Sequence, residues 1–158
     1  MLQPVLLFLL ALWCGSLVAT RFLAAPPLFA GAREGLIERP QAASLAGLIF
    51  QRQLVLSAVL VCGAAAGGGI LQRRLWSLHF LLAAALLLLG TEWLWITPEI
   101  RALRESLGSR FGSVDAAPRT DPERARFAFL HGLSMLRAMA EMLLSVVGFI
   151  LVARKGSA

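Results

Sequence analysis

Six side chains in this sequence could do chemistry inside an apolar environment: Arg21, Glu92, His131, Ser134, Arg137 and Glu141. Ionisable groups within a membrane are costly, face a bundle interior or a cavity, and pair with one another or serve an ion, a proton or a polar solute. Their spacing is informative. On a helix turning 100° per residue, His131, Ser134, Arg137, Ala138, Glu141, Ser145 and Gly148 fall within about 120° of arc. Every residue of that stripe is polar or small. Arg137 and Glu141 stand four apart, the spacing of a pair within one helix.

Depth points the same way. Glu92 precedes Pro98 by six residues, and Arg137 precedes Ala153 by sixteen. With the helix ends aligned, Glu92 and Arg137 come to similar levels, Arg21 lies close to them, and Glu141 is one turn deeper. The four charges sum to zero. One reading is a buried ion-pair network that fixes helix register. The other is a polar site for an ion, a proton or a small ligand. Loss of folded protein on removing a charge marks the first; loss of activity from a folded protein marks the second. A water-filled pocket reaching Glu92 would favour transport. A dry, fully paired cluster beside an exposed apolar patch on the connections would favour a partner-binding role.

The elements that must position these residues are apolar helices. Of 158 residues, 58% are hydrophobic and 15% charged, against about 25% charged in soluble chains. Such a composition excludes disorder, and two cysteines exclude a disulfide scaffold. A spanning helix needs about 20 apolar residues. Four stretches qualify, at approximately 5–22, 53–71, 75–96 and 130–153. The expected fold is all-α, an integral membrane four-helix bundle forming a single domain. Helices 2 and 4 extend beyond the bilayer, from near Gln41 and Asp121. A short amphipathic helix carrying Ile100, Leu103 and Leu107 lies between helices 3 and 4.

The punctuation is equally explicit. Ala25-Pro26-Pro27 is expected to stop or kink the first helix, and Glu38-Arg39-Pro40 to restart one. Gln72-Arg73-Arg74 reads as a tight antiparallel turn. Thr97 is expected to cap a helix with Pro98 in its first turn. Gly108 to Pro118 reads as a loop, and Thr120-Asp121-Pro122-Glu123 as a capping box. Gly63 to Gly67 is a small-xxx-small pattern suited to packing inside the chain. The first stretch reads as a retained helix rather than a cleaved leader, since no basic side chain precedes it. The sequence reads as having no internal repeat and no low-complexity tract.

The net charge of +6 sits mostly at the ends of apolar runs, as the positive-inside rule requires. No basic stripe interleaves with aromatics, so nucleic acid is not an expected partner. By number, the basic residues place the long connections in the cytoplasm; by density, they place the short turn and the C-terminus there. Trp76, Trp93 and Trp95 mark the two edges of the third span, where aromatic belts form.

Cofactor signals are weak. His79 and His131 differ by about 17 residues of depth, roughly 25 Å, which is too far for two axial ligands of one haem. A single histidine per subunit at an oligomer interface is the form of haem binding this leaves. Cys14 and Cys62 come to similar depth, and two thiolates there could hold Cu(I), though buried cysteine serves more often as a small hydrophobe. No metal or other cofactor is expected. His131 and Ser134 are neighbours on one helix, but no third group completes a nucleophilic set, so no enzyme is expected.

Several phrases occur in a telling order: Leu12-Trp13-Cys14-Gly15-Ser16, Ala24 to Phe29, Ala46-Gly47-Leu48-Ile49-Phe50, Thr97-Pro98-Glu99-Ile100-Arg101, and Phe129-Leu130-His131-Gly132-Leu133-Ser134. Together they resemble the transmembrane protein 205-like family, domain of unknown function 4149, over nearly the whole chain. The resemblance implies a four-span membrane protein of the bacterial inner membrane. Eukaryotic relatives are linked to drug resistance and secretory traffic, without a settled biochemical activity. In the family pattern an Asn ordinarily follows the His-Gly-Leu-Ser phrase near position 137. Arg137 puts a full charge there in place of an amide.

The function expected from all this is assistance to transport or export through the polar cluster. The alternatives are a structural or regulatory subunit binding another membrane protein, and a haem- or metal-binding redox protein. The expected partners are the lipid bilayer and either another membrane protein or further copies of the chain.

Overall fold

The computed structural model describes residues 2–71 and 76–155. The expected turn Gln72-Arg73-Arg74 lies outside them. The described residues are helical with short connections and contain no strand. In chain order they are α1 (Leu2–Val18), a π-helical turn (Ala19–Ala24), α2 (Ala25–Arg33), α3 (Arg39–Leu71), α4 (Trp76–Thr91), a second π-helical turn (Glu92–Ile96), α5 (Thr97–Phe111) and α6 (Pro122–Lys155).

Four continuous helical runs are long and apolar enough to cross a membrane: Gln3–Arg33, Arg39–Gly67, Trp76–Phe111 and Pro122–Arg154. Each contains 29 to 36 residues. A helix rises 1.5 Å per residue, so each exceeds the roughly 30 Å hydrocarbon core. Helices 2 and 4 are therefore longer than the bilayer, as expected. So are the first and third runs, because the prolines do not stop them. Pro26 and Pro98 lack a donor N–H, and each lies just past a π turn that absorbs the mismatch. Ala25 N–H reaches Thr20 O, and Thr97 N–H reaches Glu92 O, each across five residues. The expected stop or kink at Pro26, and the expected stop and restart at Thr97, are π turns within continuous helical runs.

The chain forms two compact units. The first comprises residues 1–89 and 141–158, the second residues 90–140. In the first, all four long helices meet in one core. Leu6, Leu10, Trp13 and Leu17 of α1 pack with Leu54, Val61 and Ala64 of α3. Leu78, Leu82 and Leu89 of α4 and Val152 of α6 complete it. The small residues of α3 are used inside the chain: a Cβ on Gly63 would touch Leu9 at 3.7 Å. Gly148 of α6 is tighter, with Leu10 and Leu81 at 3.4 and 3.5 Å from the place its Cβ would take. Gln3 Nε2 donates to Val152 O at 3.1 Å, which levels the start of α1 with the end of α6.

In the second unit, α5 buries Leu103 and Leu107 and leaves Arg101, Arg104 and Glu105 exposed. The amphipathic stripe is as expected, but the helix runs on to Phe111. Gly112 ends it at φ 79°, donating its N–H to Gly108 O. Left-handed backbone of this kind suits glycine. The capping box is also revised. Asp121 is the cap, its Oδ1 accepting from the N–H groups of Glu123 and Arg124 at 2.9 and 3.2 Å. Glu123 turns away to accept from Ser106 and Arg110, at 2.7 and 2.8 Å. Arg110 also pairs with Asp121, Arg126 with Glu99 at 2.7 Å, and Arg124 donates to Ala117 O. These contacts zip α5 to the start of α6.

Candidate functional site

Glu92 opens the second π turn because Pro98, six residues on, cannot donate. The turn commits the Glu92 carbonyl to Thr97 N–H, and the Thr97 hydroxyl follows to the side chain, donating to Oε1 at 3.3 Å. Ser134 of α6 donates to the same oxygen at 2.8 Å. One turn further along α6, Arg137 Nε stands 2.8 Å from Oε2. That approach is an ion pair whose alignment falls short of a linear hydrogen bond. Glu92 is 7% exposed and Arg137 6%. Both carboxylate oxygens are thus engaged within one buried group of the second unit.

The level of this group follows from helix rise. Arg137 lies fifteen residues before Val152 on α6, about 22 Å along the axis. Glu92 lies sixteen residues beyond Trp76, about 24 Å. Both lie in helical runs long and apolar enough to cross a membrane. Trp93, Leu94 and Trp95 beside Glu92 are exposed, as an aromatic belt at a membrane face requires.

Along α6, Ser134, Arg137, Ala138, Glu141, Ser145 and Gly148 form a buried stripe, but His131 is exposed and its ring stacks parallel to Phe127. The Ser134 hydroxyl is directed to Glu92. Arg21 belongs to the first unit, with its guanidinium 4.4 Å above the Phe50 ring. Glu141, only 1% exposed, also belongs to the first unit. Glu92, Ser134 and Arg137 come together with Thr97, a residue read from sequence only as a cap.

A second buried polar group was not foreseen. In the first unit Gln53 accepts from Thr20 Oγ1 at 2.9 Å and donates to Ser16 and Ser57 at 3.1 and 3.0 Å. The signal was present as two pairs spaced by four residues, Ser16 with Thr20 and Gln53 with Ser57. Neither pair carries a charge, so neither stands out from an apolar helix. Cys14 is half-buried and Cys62 exposed, so the two thiols do not share one buried site. Among the described residues no three His, Cys, Asp or Glu side chains are grouped to hold a metal.

A family model described as a domain of unknown function, DUF4149, matches residues 8–108. The match takes in Thr20, Gln53 and Glu92 and ends before Ser134 and Arg137. No curated protein and no solved structure matches the chain. With four helices able to span a membrane and a matched segment covering most of its length, this chain is an integral membrane protein that belongs to the DUF4149 family.

Proposed function

We propose that this protein assists the movement of an ion, a proton or a small polar solute across its membrane, without catalysing a chemical reaction. The observation that supports this is the buried Glu92–Arg137 pair in the apolar layer, set on a π turn. An intramembrane ionisable group is by default a functional candidate, and π-helical irregularities collect at functional sites. A carboxylate and a guanidinium side by side can exchange their mutual contact for a solute bearing either charge.

The test uses purified full-length protein in vesicles. Trapped pyranine follows protons after an acid pulse, and radiolabelled sodium, chloride and glycine follow solutes. Flux above empty vesicles that disappears in E92Q and R137M, while both variants stay monodisperse, supports the reading. Absence of flux in the intact protein for every probe overturns it for those species.

A second reading is favoured by the complete engagement of the Glu92 carboxylate and by apolar side chains on the first long connection. Leu36 is 75% exposed and Phe29 is also exposed. In that reading the chain is a structural subunit whose projecting helices bind a neighbouring membrane protein. Site-directed photo-cross-linking from position 36 in native membranes, yielding one discrete product, supports it.

A further inference from the structure

The two halves of the chain share one order of elements. Each half is a helix interrupted by a π turn and a proline, followed by one long helix: α1 to α3, then α4 to α6. A shift of 72 residues places Pro26 on Pro98. The same shift places the backbone bond Ala25 N–H to Thr20 O on the bond Thr97 N–H to Glu92 O. It also lays buried Leu6, Leu10, Trp13 and Leu17 on buried Leu78, Leu82, Ala85 and Leu89.

The long helices α3 and α6 correspond under a shift of 84 residues. Buried Ala46, Leu54, Val61 and Ala64 fall on buried Leu130, Ala138, Ser145 and Gly148. The larger shift arises between them, where α5 has 15 residues against 9 in α2 and its connection is longer as well. Helical periodicity alone would align burial at many shifts. It would not also align the proline, the π bond and the polar contacts.

Those contacts are the decisive correspondence. Thr20 falls on Glu92, and Gln53 falls on Arg137. Thr20 and Gln53 are hydrogen-bonded at 2.9 Å; Glu92 and Arg137 are paired at 2.8 Å. Each joint ties the residue whose carbonyl accepts the π bond to the long helix that follows. We propose that the chain is a tandem duplication of a helical hairpin, and that Thr20 and Gln53 are positioning residues, the uncharged counterpart of Glu92 and Arg137. The first joint holds its π turn without a formal charge, so the charge of the second is separable from its role as a joint. The inference rests on register and burial and does not depend on the transport reading.

The test is exchange of the joints in the full-length protein, read as monodisperse yield and thermal midpoint in detergent. T20E and Q53R are each expected to lower both, because each buries an uncompensated charge; together they recover at least half the loss. In the reverse exchange, E92T and R137Q singly lose yield, while the E92T/R137Q double variant recovers it. Recovery in either exchange supports the equivalence. Double variants no better than the sum of their singles, in both exchanges, overturn it. Flux distinguishes this from the functional proposal: a folded E92T/R137Q protein with undiminished flux refutes the transport role of the charges and leaves the duplication standing.

Discussion

Arg137 stands 2.8 Å from Glu92 across two helices, and Gln53 takes the equivalent place opposite Thr20. A charged joint costs more to bury than a neutral one, because both ions lose hydration that their attraction only partly restores. The asymmetry matters most when one partner is lost. A single substitution leaves a full charge in the apolar layer, whereas losing Thr20 leaves a neutral amide.

Arg137→Met is therefore expected to destabilise the second unit by about 3–5 kcal/mol, the range for breaking a buried pair. The loss is measured as a fall in thermal midpoint in detergent. Adding Glu92→Leu to it should restore part of the loss. A double variant as unstable as the single would show that the pair contributes through some contact other than its charges.

Gln53→Leu tests the neutral joint. It keeps the volume roughly and removes the hub shared by Thr20, Ser16 and Ser57. Thr20 and Ser16 can fall back on main-chain carbonyls they already reach, Ser16 O and Trp13 O. The cost is then about 1–3 kcal/mol, smaller than at Arg137. A loss as large as that of Arg137→Met would contradict the fallback bonds.

The contrast between the two joints explains what the sequence discloses and what it hides. Four apolar runs, the amphipathic spacing of Leu103 and Leu107, and the buried stripe on α6 are visible because periodicity and composition carry them. Glu92 and Arg137 are visible because charge in an apolar run is rare. Thr20 and Gln53 are not, because neutral polar residues occur throughout such helices. Pro26 and Pro98 leave stop and kink both open for a physical reason. Proline removes one donor, and whether the chain stops or shifts into π register depends on the neighbours that brace it, here Thr20 with Gln53 and Glu92 with Ser134. His131 shares the angular stripe of Ser134 and Arg137 but is exposed, with its ring stacked on Phe127.

Asp121→Ala tests the junction between α5 and α6. The substitution removes the cap of α6 and one carboxylate beside Arg110. Losing an N-cap costs about 0.5–2 kcal/mol, and Arg110 retains Glu123. The expected result is local: faster hydrogen exchange at residues 122–126, with little change in the global midpoint. Asp121→Ser should restore most of the protection, since a hydroxyl also caps.

Gly148 provides the sharpest steric test of the first unit. A Cβ there would meet Leu10, Leu81 and Leu78 at 3.4, 3.5 and 3.7 Å. These are ordinary contact distances, so Gly148→Ala should fit, and in the middle of α6 alanine gains up to about 1 kcal/mol of helix propensity. Gly148→Leu adds three further carbons where three leucines already converge from α1 and α4. Overpacking of this kind costs about 1–3 kcal/mol, and shortening Leu10 should recover it. The measurement is the thermal midpoint of Gly148→Ala, Gly148→Leu and Gly148→Leu with Leu10→Ala. A midpoint for Gly148→Leu equal to that of the parent would mean that α6 does not pack against α1 and α4 at this level.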